Sequence, residues 1–172
     1  HHQQMLAAIL SEIDGFAQKG RRNLVMTIGA TNRPWDLDAA VLSRFERRTL
    51  ISLPDEAARA EIFRIHLEAK GLPVDHRSLS YDKLATQSER LTGREVARLC
   101  KEVTARMLAE MNPDIPALVD EGLKSIQAYE IQTRPLKHSD FAPSLDNLVA
   151  DTTVEDVHHY ADWGTQIKDS AD

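Results

Sequence analysis

Two short apolar runs bracket the first third of the chain. Leu24, Val25, Met26, Thr27 and Ile28 form the first, rich in β-branched residues, as expected of a strand buried on both faces. Thr49, Leu50, Ile51, Ser52 and Leu53 form the second, which closes at Pro54. Ahead of both, Leu6, Ile9, Leu10 and Ile13 follow the three-four spacing of one apolar helix face over residues 3–14, with Gly15 as the stop. Residues 18–23 are a polar, basic loop. Between the two runs the pattern predicts a short helix over residues 38–43.

Beyond Pro54 the period changes from strands to helices alone. Asp55 is placed to cap a helix over residues 56–70, with Ala57, Ala60, Ile62, Phe63, Ile65 and Leu67 on its apolar face and Gly71, Leu72 and Pro73 as its stop. Residues 79–87 read as a short helix. Thr92-x-x-Glu95 is a capping box, opening a helix lined by Val96, Leu99, Val103 and Met107. Pro113 and Pro116 break the pattern, and residues 115–128 read as another helix with a ragged face. Ser139 is placed to cap a helix to residue 150, with Pro143 tolerated in its first turn. Thr152-x-x-Glu155 is a second capping box, opening a terminal helix with Val157, Tyr160 and Trp163. The expected fold class is therefore α/β plus all-α. Its pieces are residues 1–54 of strand-and-helix character, an all-helical 55–151, and a terminal helix and tail over 152–172.

Composition narrows the function classes. A hydrophobic fraction of 42% over 172 residues is enough to bury a core. The formal charge of −6, with no long run of either sign, argues against nucleic acid as a partner, because such a binder carries a basic stripe. No apolar stretch is long enough to span a bilayer, and none reads as a signal peptide. The single cysteine, Cys100, rules out an internal disulfide framework and fits a cytoplasmic, reducing compartment, packed among helical residues. His1-His2 and His158-His159 are adjacent pairs, and neighbours do not share a helix face, so no metal site is expected. Trp35 and Trp163 read as packing residues. The start at His1-His2-Gln3, without an initiator Met, reads as that of a fragment or processed product.

Three places carry candidate chemistry. Gly29 and Ala30 are small enough for a ligand or another backbone to come close, and Thr31 and Asn32 follow where the first strand should end. Ligands bind at the carboxyl ends of strands in open parallel sheets. A carboxamide there can orient a water with its oxygen while donating to a phosphate oxygen, or it can simply cap the local turn. Arg44, Arg47 and Arg48 cluster before the second run. A guanidinium delivered to a phosphoryl group stabilises the charge that builds up on transfer, whereas a basic turn paired with Glu46 or Asp55 contributes about 1 kcal/mol or less. Gly93 and Arg94 open a helix, whose N-terminus favours an anion, although Arg94 can equally sit in solvent paired with Glu89 or Glu95.

The stretch GATNRPWDLDAAVLSRFERRTLISLPDEAAR, residues 29–59, resembles the second region of homology of AAA ATPases. Its Asn-Arg-Pro-Trp and unbroken Arg-Phe-Glu-Arg-Arg are most similar to the clade of katanin, spastin, fidgetin and the ATPases that disassemble ESCRT filaments, with their archaeal relatives. Leu136-x-x-x-Asp140-Phe141, Val154-Glu155-Asp156 and Tyr160-x-x-Trp163 resemble that clade's tail. The resemblance covers nearly the whole chain and is weakest over 112–134.

It implies the C-terminal portion of a AAA α/β nucleotide-binding domain followed by a small helical lid, with the hinge at residues 53–55. By the same resemblance Asn32 is sensor 1, beside the γ-phosphate. Arg47 and Arg48 are fingers on the neighbouring subunit's ATP, with Arg44 in support, and Gly93 lies close to adenine. Arg94 departs from the family's small residue, and Gln3 and Gln4 stand where it usually has an arginine pair. Neither a GxxxxGK[ST] phosphate loop nor an apolar run ending in Asp-Glu occurs in the chain, so ATP and Mg²⁺ are expected to be bound mainly by residues preceding Gln3 in a longer parent. The chain alone is expected to be inactive. The resemblance implies that the parent is a ring, a hexamer, hydrolysing ATP to pull on a protein or filament. The other reading is a non-catalytic assembly module that keeps only the fold.

Overall fold

The computed structural model describes residues 26–45, 47–69 and 71–169, together with Ala8 and Ser11. The helix expected over residues 3–14, the loop at 18–23, Leu24, Val25 and Glu46 lie outside the described set, apart from Ala8 and Ser11. The chain divides into two compact units. One gathers the described residues up to Ile51 with those from Glu155 onward, and the other is Ser52–Val154.

In the first unit, a single 3-10 turn at Pro34–Asp36 leads to the short helix α1, Ala39–Leu42. The Asp38 carboxylate caps α1 by accepting from the Val41 N–H at 2.8 Å. The described residues of the two apolar runs do not form the expected buried strands. Their described residues carry no β-ladder, and Met26, Ile28 and Ile51 are 83%, 82% and 90% exposed. A strand needs partners for its N–H and C=O groups, and no described residue pairs with either run.

The second unit is mainly helical, with a parallel β-bridge between Val74 and Leu136, and its core follows from the apolar faces read above. Helix α2, Glu56–Glu68, is capped by Asp55, which accepts from the Ala58 N–H at 2.8 Å. Helix α3, Tyr81–Gln87, is capped by Ser80. Helix α4, Gly93–Met111, opens on the expected capping box: the Glu95 N–H donates to Thr92 Oγ1 at 3.2 Å and the Thr92 N–H donates to Glu95 Oε2 at 2.7 Å. Phe63 and Leu67 of α2, Leu84 of α3, and Val96, Leu99, Val103 and Met107 of α4 are buried together with Cys100, Leu136 and Phe141. Phe63 and Phe141 meet edge to face at 6.1 Å.

The later helices are shorter than the pattern predicted. Residues 115–128 form two helices, α5 (Ile115–Glu121) and α6 (Leu123–Ala128), broken at Gly122. Gly122 has φ +103°, a conformation that residues with a Cβ rarely adopt. The helix expected over 139–150 is instead a 3-10 turn at His138–Asp140 and a short α7, Ala142–Asp146. Its end is closed by the Asn147 amide donating to the Pro143 carbonyl at 2.8 Å. The terminal helix α8, Val154–Asp169, starts one residue later than the Thr152-x-x-Glu155 box would set it, and from Glu155 it groups with the first unit.

Two buried polar side chains tie the second unit together, and the sequence pattern singled out neither. Arg59 donates from Nε and Nη2 to the Ala85 carbonyl at 3.1 and 2.9 Å, and from Nη1 to the Pro54 carbonyl at 2.8 Å. Asn112 donates to the carbonyls of Leu108 and Gln132 at 2.7 and 2.9 Å. Its own oxygen accepts from the Gln132 N–H at 2.8 Å and the Tyr129 hydroxyl at 3.1 Å.

Candidate functional site

The candidate residues of the first unit stand on a small scaffold of tight contacts. Gly29 faces the Phe45 ring so closely that a Cβ there would lie 3.2 Å from Phe45 Cζ. The room left by this glycine is thus filled by an aromatic ring of the same chain, not by a ligand. Thr31 Oγ1 accepts from the Arg33 N–H at 3.0 Å, a local turn that shapes the backbone around Asn32. Asn32 is exposed, and its carboxamide makes no hydrogen bond among the described residues; its main-chain carbonyl accepts from the Tyr160 hydroxyl of α8. Trp35 lies flat on His159 at 4.0 Å and tilts against Tyr160 at 5.0 Å, so it is a packing residue.

The three arginines have different environments. Arg44 donates from Nη1 to the Ala40 carbonyl and to Ser43 Oγ, both at 3.1 Å. Arg48 is half-buried and caps the end of α1, donating from Nη2 to the Leu42 carbonyl at 2.9 Å and from Nε to the Phe45 carbonyl at 3.2 Å. Arg47 is exposed and makes no hydrogen bond or ion pair among the described residues. Two neighbouring arginines are therefore split by their surroundings: one guanidinium is fastened to backbone carbonyls, and the other is held out on the anchored turn.

Gly93 and Arg94 stand in the second unit, at the first turn of α4. A Cβ on Gly93 would make only ordinary contact with Ile62 Cδ1 at 3.6 Å, so packing alone does not demand glycine there. Arg94 is exposed and forms no ion pair with Glu89 or Glu95. Glu95 is occupied elsewhere. It is buried, and besides Thr92 it accepts from the Asp151 N–H at 2.7 Å.

Four carboxylates of this unit, Glu61, Asp75, Glu95 and Asp140, are stabilised in their charged form, the last two against the opposing effect of burial as the largest influence. Burial pushes the Glu95 carboxyl upward, but the N–H of Asp151 and the hydroxyl and N–H of Thr92 outweigh it and hold the group below the usual glutamate range. Burial likewise opposes ionisation of Asp140, yet Arg134, donating to both its oxygens at 2.7 and 3.0 Å, and the Lys137 N–H bring it below the usual aspartate range. Groups with depressed folded values contribute stability above their unfolded values, near pH 4, and lose it as pH falls through the folded ones. Circular dichroism should therefore show the helical unit weakening below about pH 4. Glu95→Gln or Asp140→Asn should flatten that dependence; an unchanged acid transition in both would disprove the assignment.

Among the described residues no group of three or more His, Cys, Asp or Glu is arranged to hold a metal, and no helix is long and apolar enough to cross a membrane. The Asn32 carboxamide and the Arg47 guanidinium in the first unit, and the Arg94 side chain in the second, are exposed and without a hydrogen-bond or ion-pair partner among the described residues.

Residues 1–53 match the model of the ATPase family associated with various cellular activities (AAA). Spastin of Xenopus tropicalis is 32% identical over 161 residues, covering 94% of this chain and 25% of its own length. The chain thus spans about a quarter of the length of the curated relatives it matches. Among solved structures, the FIGL-1 AAA domain in complex with ADP superposes with a TM-score of 0.76 at 21% identity, over 96% of this chain and 52% of that one. A structure reported as the structural basis for katanin self-assembly gives a TM-score of 0.59 at 25% identity, over 76% of this chain and 43% of that one. The motif at residues 29–59, the helical unit that follows it and these matches together place the chain in the AAA ATPase family, as the carboxy-terminal part of a member related to katanin, spastin and fidgetin.

Proposed function

We propose that this chain is the sensing and trans-acting portion of a AAA ATPase that works as a ring, most simply a hexamer, in the cytoplasm. The parent hydrolyses ATP and uses the resulting motion to remodel a protein or filament. In this reading Asn32 meets the γ-phosphate and orients the attacking water. Arg47 reaches the neighbouring subunit's nucleotide, Arg48 and Arg44 hold the turn that presents it, and Gly93 with Arg94 borders the base and phosphates from the lid. Residues outside this chain supply the phosphate loop and the Mg²⁺ ligands.

The observation that carries the proposal is the split between the arginines. A finger must be exposed yet not loose, because a guanidinium that has to be ordered in the transition state loses part of its effect to entropy. Arg47 meets both conditions: it is exposed, while Arg48 on one side and Phe45 against Gly29 on the other fix the turn that bears it. The ADP complex of the FIGL-1 AAA domain and the self-assembly of katanin support nucleotide use and self-association in these relatives.

Mixed rings test the proposal. An Arg47→Ala subunit with an intact pocket is combined with a subunit whose phosphate loop is dead but whose Arg47 is intact. Hydrolysis should reappear at interfaces that join one good pocket to one good Arg47. Mixed rings that assemble but stay silent would refute the trans-acting role and favour the non-catalytic assembly module.

A further inference from the structure

The terminal helix α8 touches the first unit at two places. Its Tyr160 hydroxyl donates to the main-chain carbonyl of Asn32, with Trp35 packed against the same tyrosine ring and against His159. One turn further on, Gly164 faces Leu50, two residues past Arg48, so closely that a Cβ would lie 2.7 Å from Leu50 Cδ2. One helix thus meets both the residue assigned to the γ-phosphate and the run that follows the arginines, across a sequence separation that no local motif spans.

A carboxamide that orients water is useful only if its backbone is held. The turn around Asn32 is short and exposed, and its local restraints are the Thr31 hydroxyl and an exposed Arg33–Asp36 ion pair at 2.6 Å. Such an exposed pair contributes little rigidity. The Tyr160 hydroxyl is the restraint that reaches Asn32 itself, through a rigid ring already wedged against Trp35. We infer that Tyr160 is a positioning residue for hydrolysis: its hydroxyl fixes the main chain of Asn32, and through it the angle at which the carboxamide addresses the phosphate and water. The inference rests on the proposed role of Asn32. Tyr160 touches neither nucleotide nor water and acts only through Asn32. A small error in placing a catalytic group far from any loss of binding can lower the rate by up to about a hundredfold.

The test uses a full-length AAA protein containing this chain. Tyr160→Phe keeps the ring and its packing on Trp35 and removes only the hydroxyl. It should lower kcat by about tenfold with KM for ATP unchanged. Against Asn32→Ala the same substitution should have no further effect in single-turnover hydrolysis, since there is then nothing left to position. Tyr129→Phe, which removes a hydroxyl bond to Asn112 in the helical unit, serves as the stability control and should lower the unfolding midpoint without touching kcat. A Tyr160→Phe loss that persists in full against Asn32→Ala, or that matches Tyr129→Phe in following stability alone, would overturn the inference. Full hydrolysis by Asn32→Ala would instead sink the reading of Asn32 itself. A normal loss at Asn32 with a silent Tyr160→Phe would sink the positioning role alone.

Discussion

Arg47→Ala in a full-length ring is expected to lower kcat by roughly a thousandfold while the dissociation constant for ATP changes little. The guanidinium would act where charge develops on the transferred phosphoryl group, so its removal raises the barrier without weakening ground-state binding. Lys should rescue poorly, because an ammonium keeps the charge but not the planar fork. Arg48→Ala should behave differently. Its guanidinium holds the carbonyls of Leu42 and Phe45, so its loss should loosen the turn as well as slow hydrolysis. Calorimetric ATP binding and steady-state hydrolysis on the two variants separate these outcomes. Equal damage to binding and turnover in Arg47→Ala, or an unfolded protein, would return Arg47 to a structural turn.

The second large effect is one of stability. Asn112→Ala should destabilise the helical unit by about 3 kcal/mol, because it removes four hydrogen bonds at a buried position and leaves backbone groups of the 129–132 segment without partners. For a unit of this size that is on the order of a 15 °C fall in unfolding midpoint. Asn112→Asp should also be costly. It keeps the acceptor but sets a carboxylate against the carbonyls of Leu108 and Gln132. Urea titration of the chain measures both. A loss below about 1 kcal/mol for Asn112→Ala would mean that residues 112–134 are held by other contacts.

What could be read in advance was what depends on near neighbours. Asp55, Thr92 and Glu95 announce helix starts because a cap acts within three residues, and the structure places all three as expected. The 93–111 helix was legible because its apolar face, Val96, Leu99, Val103 and Met107, repeats over about three turns. The terminal box was misplaced by one residue because Thr152 and Thr153 offer the same chemistry in adjacent registers. The two apolar runs were read as buried strands from their composition, but strand pairing belongs to whatever backbone lies beside them, and no described residue forms a β-ladder with either. Arg59, Asn112 and Tyr160 were invisible as anchors for a related reason. Each is an ordinary polar residue whose partner lies 26, 20 or 128 positions away, and no periodicity encodes such a distance. The candidate residues were singled out through the resemblance of residues 29–59 and of the helix start at Gly93. The different surroundings of Arg47 and Arg48 came only from seeing which carbonyls lay within reach.

The buried Arg59 has a consequence for how the helical unit comes together. Its guanidinium can enter the interior only if acceptors arrive with it, and two of its three bonds go to the end of α3. A half-assembled intermediate, with α2 docked and α3 still loose, would strand a desolvated cation with too few carbonyls. Such a species lies uphill of both the open and the finished forms. One side chain thereby turns the docking of two helices into a single concerted event, which gives this part of the molecule an all-or-none character that the apolar contacts, by themselves, do not require.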